Sequence, residues 1–570
     1  MSITPSCVKM LGGVPTLFVN DQPIAQTAYI TYLTYNNDYA SFAKCGYKLF
    51  SMPVYFATRT MSERSQMPPF SAGIFEDAED YFDHFDEEIK QILDVCPDAM
   101  IFPRVNVNPP IRWDEKNPDE LEDVPLSEIA RKRPCFSSDR WAEEVKRMLT
   151  RYIRHIQSAS YSANIIGYQI AGGSTDEWFP FDGKGSVGIR SREKYRQYLA
   201  ESGAEDNEPE YYRFLERMLA RRICEFAHHA KQLTEGKQMI GSFYGYTCEC
   251  PSRNSLHHAL KMVLDCEDID FLCSPVAYDF ARAPGRDHPP HVPVESLKLH
   301  GKLYFAENDT RTHLSRPFNN TPHFMRPVWF GPDRETSREI MRMHFASTVT
   351  HGHASWWFDM WGGWYKDDVY MDTARRALAI AGESLSRNRA SVSELAVFID
   401  EDAFSYIGSE GFEPDPSVGV RVCKETRPAL GTSGVPYDLY IASDYEQAKD
   451  KYKAVVVLQP YPTALSARIT EDAAARGIPC LVIDKHNCGI TAAELRSFCE
   501  QAGLHLYMHE DAAVFANESY VYFHTAKEGA FHLYLPDENA VLHDAFTGEI
   551  VSFPLNLRFG QTMLLEILKP

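Results

Sequence analysis

The chain predicts an α/β protein: a (β/α)8 TIM barrel, then a smaller flavodoxin-like α/β unit, then a small C-terminal β domain. Three observations carry this. Eight short apolar runs alternate with helical stretches over roughly 350 residues, the rhythm of repeated β–α units. No glycine-rich phosphate loop follows any of these runs, which argues against a doubly wound dinucleotide-binding sheet. Near residue 390 the pattern changes, and after residue 515 helical periodicity is lost.

Residues 13–25, G-V-P-T-L-F-V-N-D-Q-P-I-A, read as a hairpin with Asn20-Asp21 at its turn. The eight barrel strands are expected at 26–33, 48–54, 100–107, 165–171, 239–244, 269–275, 303–306 and 354–358. Helical stretches separate most of them, at 81–93, 138–158, 211–233 and 334–351. After the polar connector 386–393, four further apolar runs at 395–399, 437–441, 454–458 and 480–483 alternate with helices at 464–476 and 491–502. Strands at 520–524, 531–535 and 562–567 follow. The expected domains are therefore 1–388 (barrel with N-terminal hairpin), 389–515 (flavodoxin-like) and 516–570 (small β domain).

Composition bounds the function. Apolar residues make up 44% and charged residues 24%, as in globular proteins. The 58 Lys and Arg against 79 Asp and Glu leave a net charge of −21, which argues against a nucleic-acid surface and an anionic-membrane surface. No apolar run is long enough to span a membrane, and residues 1–10 lack the charged and apolar regions of a signal peptide. Thirteen cysteines without a C-x-x-C pair suggest reduced thiols and a cytoplasmic protein. Cys248-Glu249-Cys250 is the tightest cluster; as a zinc site it lacks two ligands, and neither a metal nor another cofactor is expected. Cys480 lies inside an apolar run without a nucleophile elbow and reads as core.

Two segments carry chemistry. I-I-G-Y-Q-I-A-G-G-S-T-D-E-W-F places Glu177 just past the fourth strand, behind two glycines that permit close or left-handed backbone. G-K-L-Y-F-A-E-N-D-T-R-T-H places Glu307 at the end of the seventh, before Asn308, Asp309 and Arg311. Two carboxylates on the C-terminal rim of a parallel barrel suit glycoside hydrolysis: one exchanges a proton, the other attacks or stabilises a sugar cation. The alternatives are a helix-capping Glu177 and a structural Glu307–Arg311 salt bridge. Burial beside Trp178 would raise Glu177, and Arg311 would hold Glu307 ionised. The eighth strand, H-G-H-A-S-W-W-F-D-M-W-G-G-W-Y, has four tryptophans in nine residues, at least two of them expected at the solvent rim. Trp357 is expected to floor a sugar subsite, with Trp361 beside it and Asp359 available to a hydroxyl. His351 and His353 read as packed. Arg104, at the end of the third strand, can hydrogen-bond the nucleophile and a sugar hydroxyl. Tyr246 and Tyr278, after the fifth and sixth strands, either donate to the nucleophile or pack.

These segments resemble the clan of retaining β-glycosidases whose acid/base follows strand four and whose nucleophile follows strand seven. The domain order, with I-F-P-R-V-N-V-N-P-P-I-R-W and Y-D-L-Y-I-A-S-D, resembles glycoside hydrolase family 42, the bacterial β-galactosidases. The resemblance implies Glu177 as acid/base, Glu307 as nucleophile, Arg104 as rim arginine and a homotrimer joined through the middle domain. The clan's asparagine before the acid/base is Asp176 here, and the family's cysteine-ligated zinc cluster has no counterpart. The expectation is a retaining exo-β-glycosidase acting on a small saccharide or glycoside, with its carboxyl groups about 5 Å apart. A β-mannosidase or other β-glycosidase of a related family is the alternative, and a non-catalytic carbohydrate-binding barrel is the alternative from another class.

Overall fold

The computed structural model describes residues 3–59, 70–77, 79–122, 133–180, 188–278, 282–315, 331–360, 362–408 and 418–568. Its centre is a closed parallel barrel. The strands are Thr27–Ile30, Leu49–Tyr55 (interrupted at Met52), Met100–Asn106 (interrupted at Phe102-Pro103), Gly167–Ala171, Met239–Phe243, Phe271–Pro275, Leu303–Asn308 and Ala354–Phe358. Each pairs with the next, and the eighth pairs with the first through Phe358 and Ile30, which closes the ring.

Side chains alternate across each strand, so every second residue points into the barrel. Phe102, Phe243, Phe271, Phe305 and Trp356 meet there and fill its middle layers. Gly241 is required by this packing: a Cβ at that position would lie 2.3 Å from the Phe271 ring. The N-terminal hairpin closes the lower end. Val14–Val19 pairs with Ser6–Leu11, a strand not expected from the sequence, and turns through Asn20 and Asp21 at φ of 50° and 58°. Leu17 and Val19 pack into the interior cluster, leaving the C-terminal rim open for chemistry.

The outer helices bury apolar stripes against the strands. In Asp139–Ser158, Trp141, Val145, Met148, Leu149, Tyr152 and Ile156 are buried at helical spacing, and Ser138 caps the start by accepting from the Trp141 N–H. Arg334–His351 is capped by Asp333 and ends at the left-handed Gly352. No described helix is long and apolar enough to cross a membrane.

The middle unit has four parallel strands, Leu395–Ile399, Tyr437–Ile441, Ala454–Leu458 and Cys480–Ile483, in the order second, first, third, fourth. Thr463 and Thr491 form capping boxes on its helices Ala464–Arg476 and Ala492–Gln501. Cys480 is half-buried on the edge strand, where burial pushes its thiol up to about 11. Five antiparallel strands follow: Ala512–Ala516, Tyr520–Thr525, Val541–Asp544, Ile550–Val551 and Thr562–Leu568. The strand expected at 531–535 is instead Gly529–Phe531, paired with Leu555–Leu557 in a separate ribbon.

Candidate active site

Glu307 is the inward residue at the top of the seventh strand, in register with Pro275 on one side and Trp356 on the other. It is 4% exposed. Its Oε2 accepts from Arg104 Nη2 at 2.6 Å and from Trp356 Nε1 at 3.1 Å. Arg104 reaches it from the third strand and is itself 1% exposed. The other guanidinium nitrogens donate to the hydroxyl of Tyr32 at 2.7 Å and to Oε1 of Gln169 at 3.4 Å. Aromatic rings of Phe243, Phe358, Tyr32 and Trp356 surround the guanidinium, with centroids 4.5–5.4 Å from its carbon. Burial pushes the Glu307 carboxyl above the usual range, while Arg104 and Trp356 pull it down. An arginine keeps its charge, and Tyr32 and Gln169 are neutral partners. Glu307 is therefore the carboxylate that balances Arg104 by direct contact.

Glu177 meets the opposite environment. It is partly exposed, and its partners are hydroxyls: Tyr246 donates to Oε1 at 2.6 Å and Thr175 donates to Oε2. Burial pushes its carboxyl up to about 7; the two hydroxyls oppose that and the Glu307 charge adds to it. The segment carrying it is a tight reversal in which Ser174 N bonds Phe179 O at 3.0 Å and Trp178 N bonds Gly172 O at 2.8 Å. Thr175, Asp176 and Trp178 all have left-handed backbone, with φ of 57°, 66° and 60°. Non-glycine residues in that region concentrate at functional sites. Gly172 is needed because a Cβ there would lie 2.6 Å from the Trp178 ring.

Asp176 is 1% exposed. Asn106, from the third strand, donates to its Oδ1, and its Oδ2 has no hydrogen-bond partner among the described residues. Burial pushes it up to about 6, against the pull of Arg104, Asn106 and Arg133. Tyr278 is partly exposed; the Arg282 guanidinium lies over its ring at 4.5 Å, and the charges of Glu177, Asp309 and Glu307 act on it. Arg282 also pairs with Asp309.

Several expectations are corrected. Trp357 does not floor a subsite. It points outward into the helix layer, where its indole donates to Tyr47 at 2.7 Å, and Trp356 faces the site instead. The described tryptophans of this strand and its loop, Trp356, Trp357 and Trp364, are all buried, because alternate residues fill the barrel and the layer around it. Trp361 lies outside the described residues. Asp359 is not available to a substrate: it is fully buried and accepts from the Tyr29 hydroxyl and from the backbone of Gly363 and Trp364. The arginine holding Glu307 is Arg104, whereas Arg311 lies over the Trp364 ring at 5.6 Å. Tyr246 donates to Glu177, not to Glu307. The Trp178 ring packs outward against Trp141 and Phe226, so it is the enclosed pocket that raises Glu177. His353 is packed, with Nδ1 2.9 Å from the Ala354 carbonyl, and His351 lies against Phe515. Tyr32, Asn106, Gln169 and Trp356 were not singled out from the sequence; inward parity with Glu307 and Arg104 is the signal that finds Trp356, Asn106 and Gln169.

No protein-family model and no curated protein sequence matches the chain. Solved structures do resemble it. The β-galactosidase of the psychrophilic Marinomonas ef1 aligns with a TM-score of 0.62 at 12% identity, over 95% of this chain and 100% of that one. Gan42B, a family 42 β-galactosidase of G. stearothermophilus, aligns with a TM-score of 0.61 at 11% identity, over all of both chains. The exo-carrageenase of the same family from Bacteroides ovatus aligns with a TM-score of 0.60 at 11% identity, over 100% of this chain and 85% of that one. At these identities the likeness is one of fold, and it extends beyond the barrel to nearly the whole chain.

Proposed function

We propose that this chain is a retaining exo-β-glycosidase that removes terminal β-linked sugars, β-galactosidase-like, from small oligosaccharides or glycosides. One observation carries the reading: two carboxyl groups on one barrel rim sit in opposite environments. Glu307 is gripped by a cation and an indole N–H; Glu177 is held by neutral hydroxyls and pushed up to about 7. An ionised carboxylate suits a nucleophile, and a carboxyl that is half-protonated near neutrality suits a group that gives and then takes a proton. In this reading Glu307 attacks the anomeric carbon while Glu177 protonates the departing oxygen, and Glu177 then deprotonates the water that releases the sugar. Arg104, Asp176, Tyr246, Tyr278 and Arg311 line the sugar site. The β-galactosidase and exo-carrageenase names of proteins with this fold favour an exo-acting β-glycosidase. A β-mannosidase or other β-glycosidase is the second reading, favoured by Asp176 standing where the resembling clan has asparagine.

A homotrimer joined through the middle domain belongs to the same proposal, as does a cytoplasmic location, which the lack of disulfides among the described residues suits. Release of nitrophenol from a panel of aryl β-glycosides tests the activity; no turnover of any member at high enzyme concentration would overturn it. Light scattering tests the assembly, and a protomer mass unchanged with concentration would overturn the trimer.

A further inference from the structure

The Cys248-Glu249-Cys250 segment ties the middle domain to the reacting carboxyls. It belongs to the loop after the fifth barrel strand, and its backbone closes a tight turn onto Tyr246: the N–H groups of Glu249 and Cys250 donate to the Tyr246 carbonyl at 3.1 and 2.9 Å. Tyr246 is the residue whose hydroxyl donates to Glu177. The Glu249 carboxylate is buried; His291 Nε2, on a barrel loop, lies 3.6 Å from its Oε2, and its cationic partners come from the second domain. Lys424 Nζ forms a salt bridge with Oε1, and Arg427 Nη2 lies 3.8 Å from Oε2.

Arg427 is fully buried, and its Nη1 donates to the carbonyl of Pro290, on the loop after the sixth barrel strand. The next residue, His291, packs its ring between Tyr246 and Tyr278, at centroid distances of 5.0 and 4.8 Å. Burial and the charges of Arg427, Arg282 and Lys424 keep His291 neutral. The loops are also joined directly, through Cys248 N and His291 O at 3.1 Å. The docking is close: a Cβ at Gly419 would lie 2.3 Å from the Pro251 carbonyl oxygen.

We propose that Lys424 and Arg427 act on the reaction through Glu249, as positioning residues that fix the turn aiming the Tyr246 hydroxyl at Glu177. The proposal rests on Glu177 being the acid/base. The middle domain thereby becomes part of the catalytic apparatus without touching substrate. Glu177 also faces Thr175, Glu307 and Arg104, its charge acts on Tyr278 and Cys250, and His257 hydrogen-bonds its backbone.

The experiment is the pH profile of kcat/KM on 4-nitrophenyl β-galactoside, or on the aryl glycoside turned over fastest. Tyr246→Phe removes the hydrogen bond that stabilises ionised Glu177, so the basic limb moves to higher pH by roughly one to two units, the worth of one hydrogen bond to a charged group. Glu249→Gln and Lys424→Met are expected to reproduce that shift, Lys424→Arg to abolish it, and Tyr246→Phe combined with Lys424→Met to add nothing. Lys424 is partly exposed, so its variants decide the matter should Glu249→Gln fail to fold. A basic limb that moves in Tyr246→Phe but stays in place in Lys424→Met overturns the proposal. A limb unmoved in Tyr246→Phe overturns the acid/base assignment beneath it.

Discussion

Trp356 donates its indole N–H to Oε2 of Glu307 at 3.1 Å, across a register pair that joins the seventh and eighth barrel strands. Its neighbour Trp357 points the other way and donates to Tyr47. Trp356→Phe keeps an aromatic filler but removes a hydrogen bond to a charged group, so kcat/KM is expected to fall roughly 10- to 100-fold. Trp357→Phe should lower the melting temperature and leave kcat/KM near that of the parent. Steady-state kinetics and thermal melts on both variants check this; the reverse pattern would restore Trp357 as the subsite residue.

Glu307→Gln should remove turnover of good and poor leaving groups alike, by roughly 10⁴-fold or more, because no glycosyl-enzyme can form. Glu177→Ala should cost roughly 10²- to 10⁴-fold on poorly activated substrates and much less on dinitrophenyl glycosides, which need little acid assistance. Azide should partly rescue the second variant and yield a β-glycosyl azide. Rescue confined to the Glu307 variant, with a β product, would show the two roles to be exchanged.

The fate of the anomeric carbon is a separate test. Proton NMR of the first product formed should show the β anomer, since a double displacement retains configuration. An α anomer appearing first would mean inversion, with water between substrate and Glu307.

Arg104 pulls the Glu307 carboxyl down against burial. Arg104→Met removes that pull, so Glu307 stays protonated to higher pH and the acidic limb of kcat/KM should move upward. The loss at the optimum is expected to be roughly 10²-fold or more. An acidic limb that does not move would mean that a group other than Glu307 sets it.

Asp176 is buried and raised from 3.8 to about 6. The folded state therefore prefers its protonated form: the stabilisation this group contributes is complete below the unfolded value and is lost as pH rises through about 6. Asparagine resembles the protonated carboxyl at all pH values. Asp176→Asn should match the parent in melting temperature near pH 4 and exceed it above about pH 6. Scanning calorimetry across that range checks this, and a gap that does not widen with pH would show that Asp176 stays ionised when folded.

Much of the architecture is set by the sequence alone. The eight barrel runs and the four of the middle unit are mostly apolar, so their position follows from local pattern, and Leu395–Ile399, Tyr437–Ile441, Ala454–Leu458 and Cys480–Ile483 form the strands expected. Glu177 and Glu307 were legible for the same reason, as carboxylates placed directly after apolar runs. What stood opposite them was not. Trp356 and Trp357 are chemically identical neighbours, and only the pairing of Glu307 with Trp356 decides which one faces inward. Tyr32 and Arg104 are 72 positions apart, Arg104 and Glu307 203, and Glu249 and Lys424 belong to different domains. Such contacts depend on barrel closure and domain docking, which bring together residues that no local window contains. The different environments of the two glutamates follow from that closure, since burial leads for both and a cation from a distant strand acts on Glu307 ahead of its neighbour Asp309.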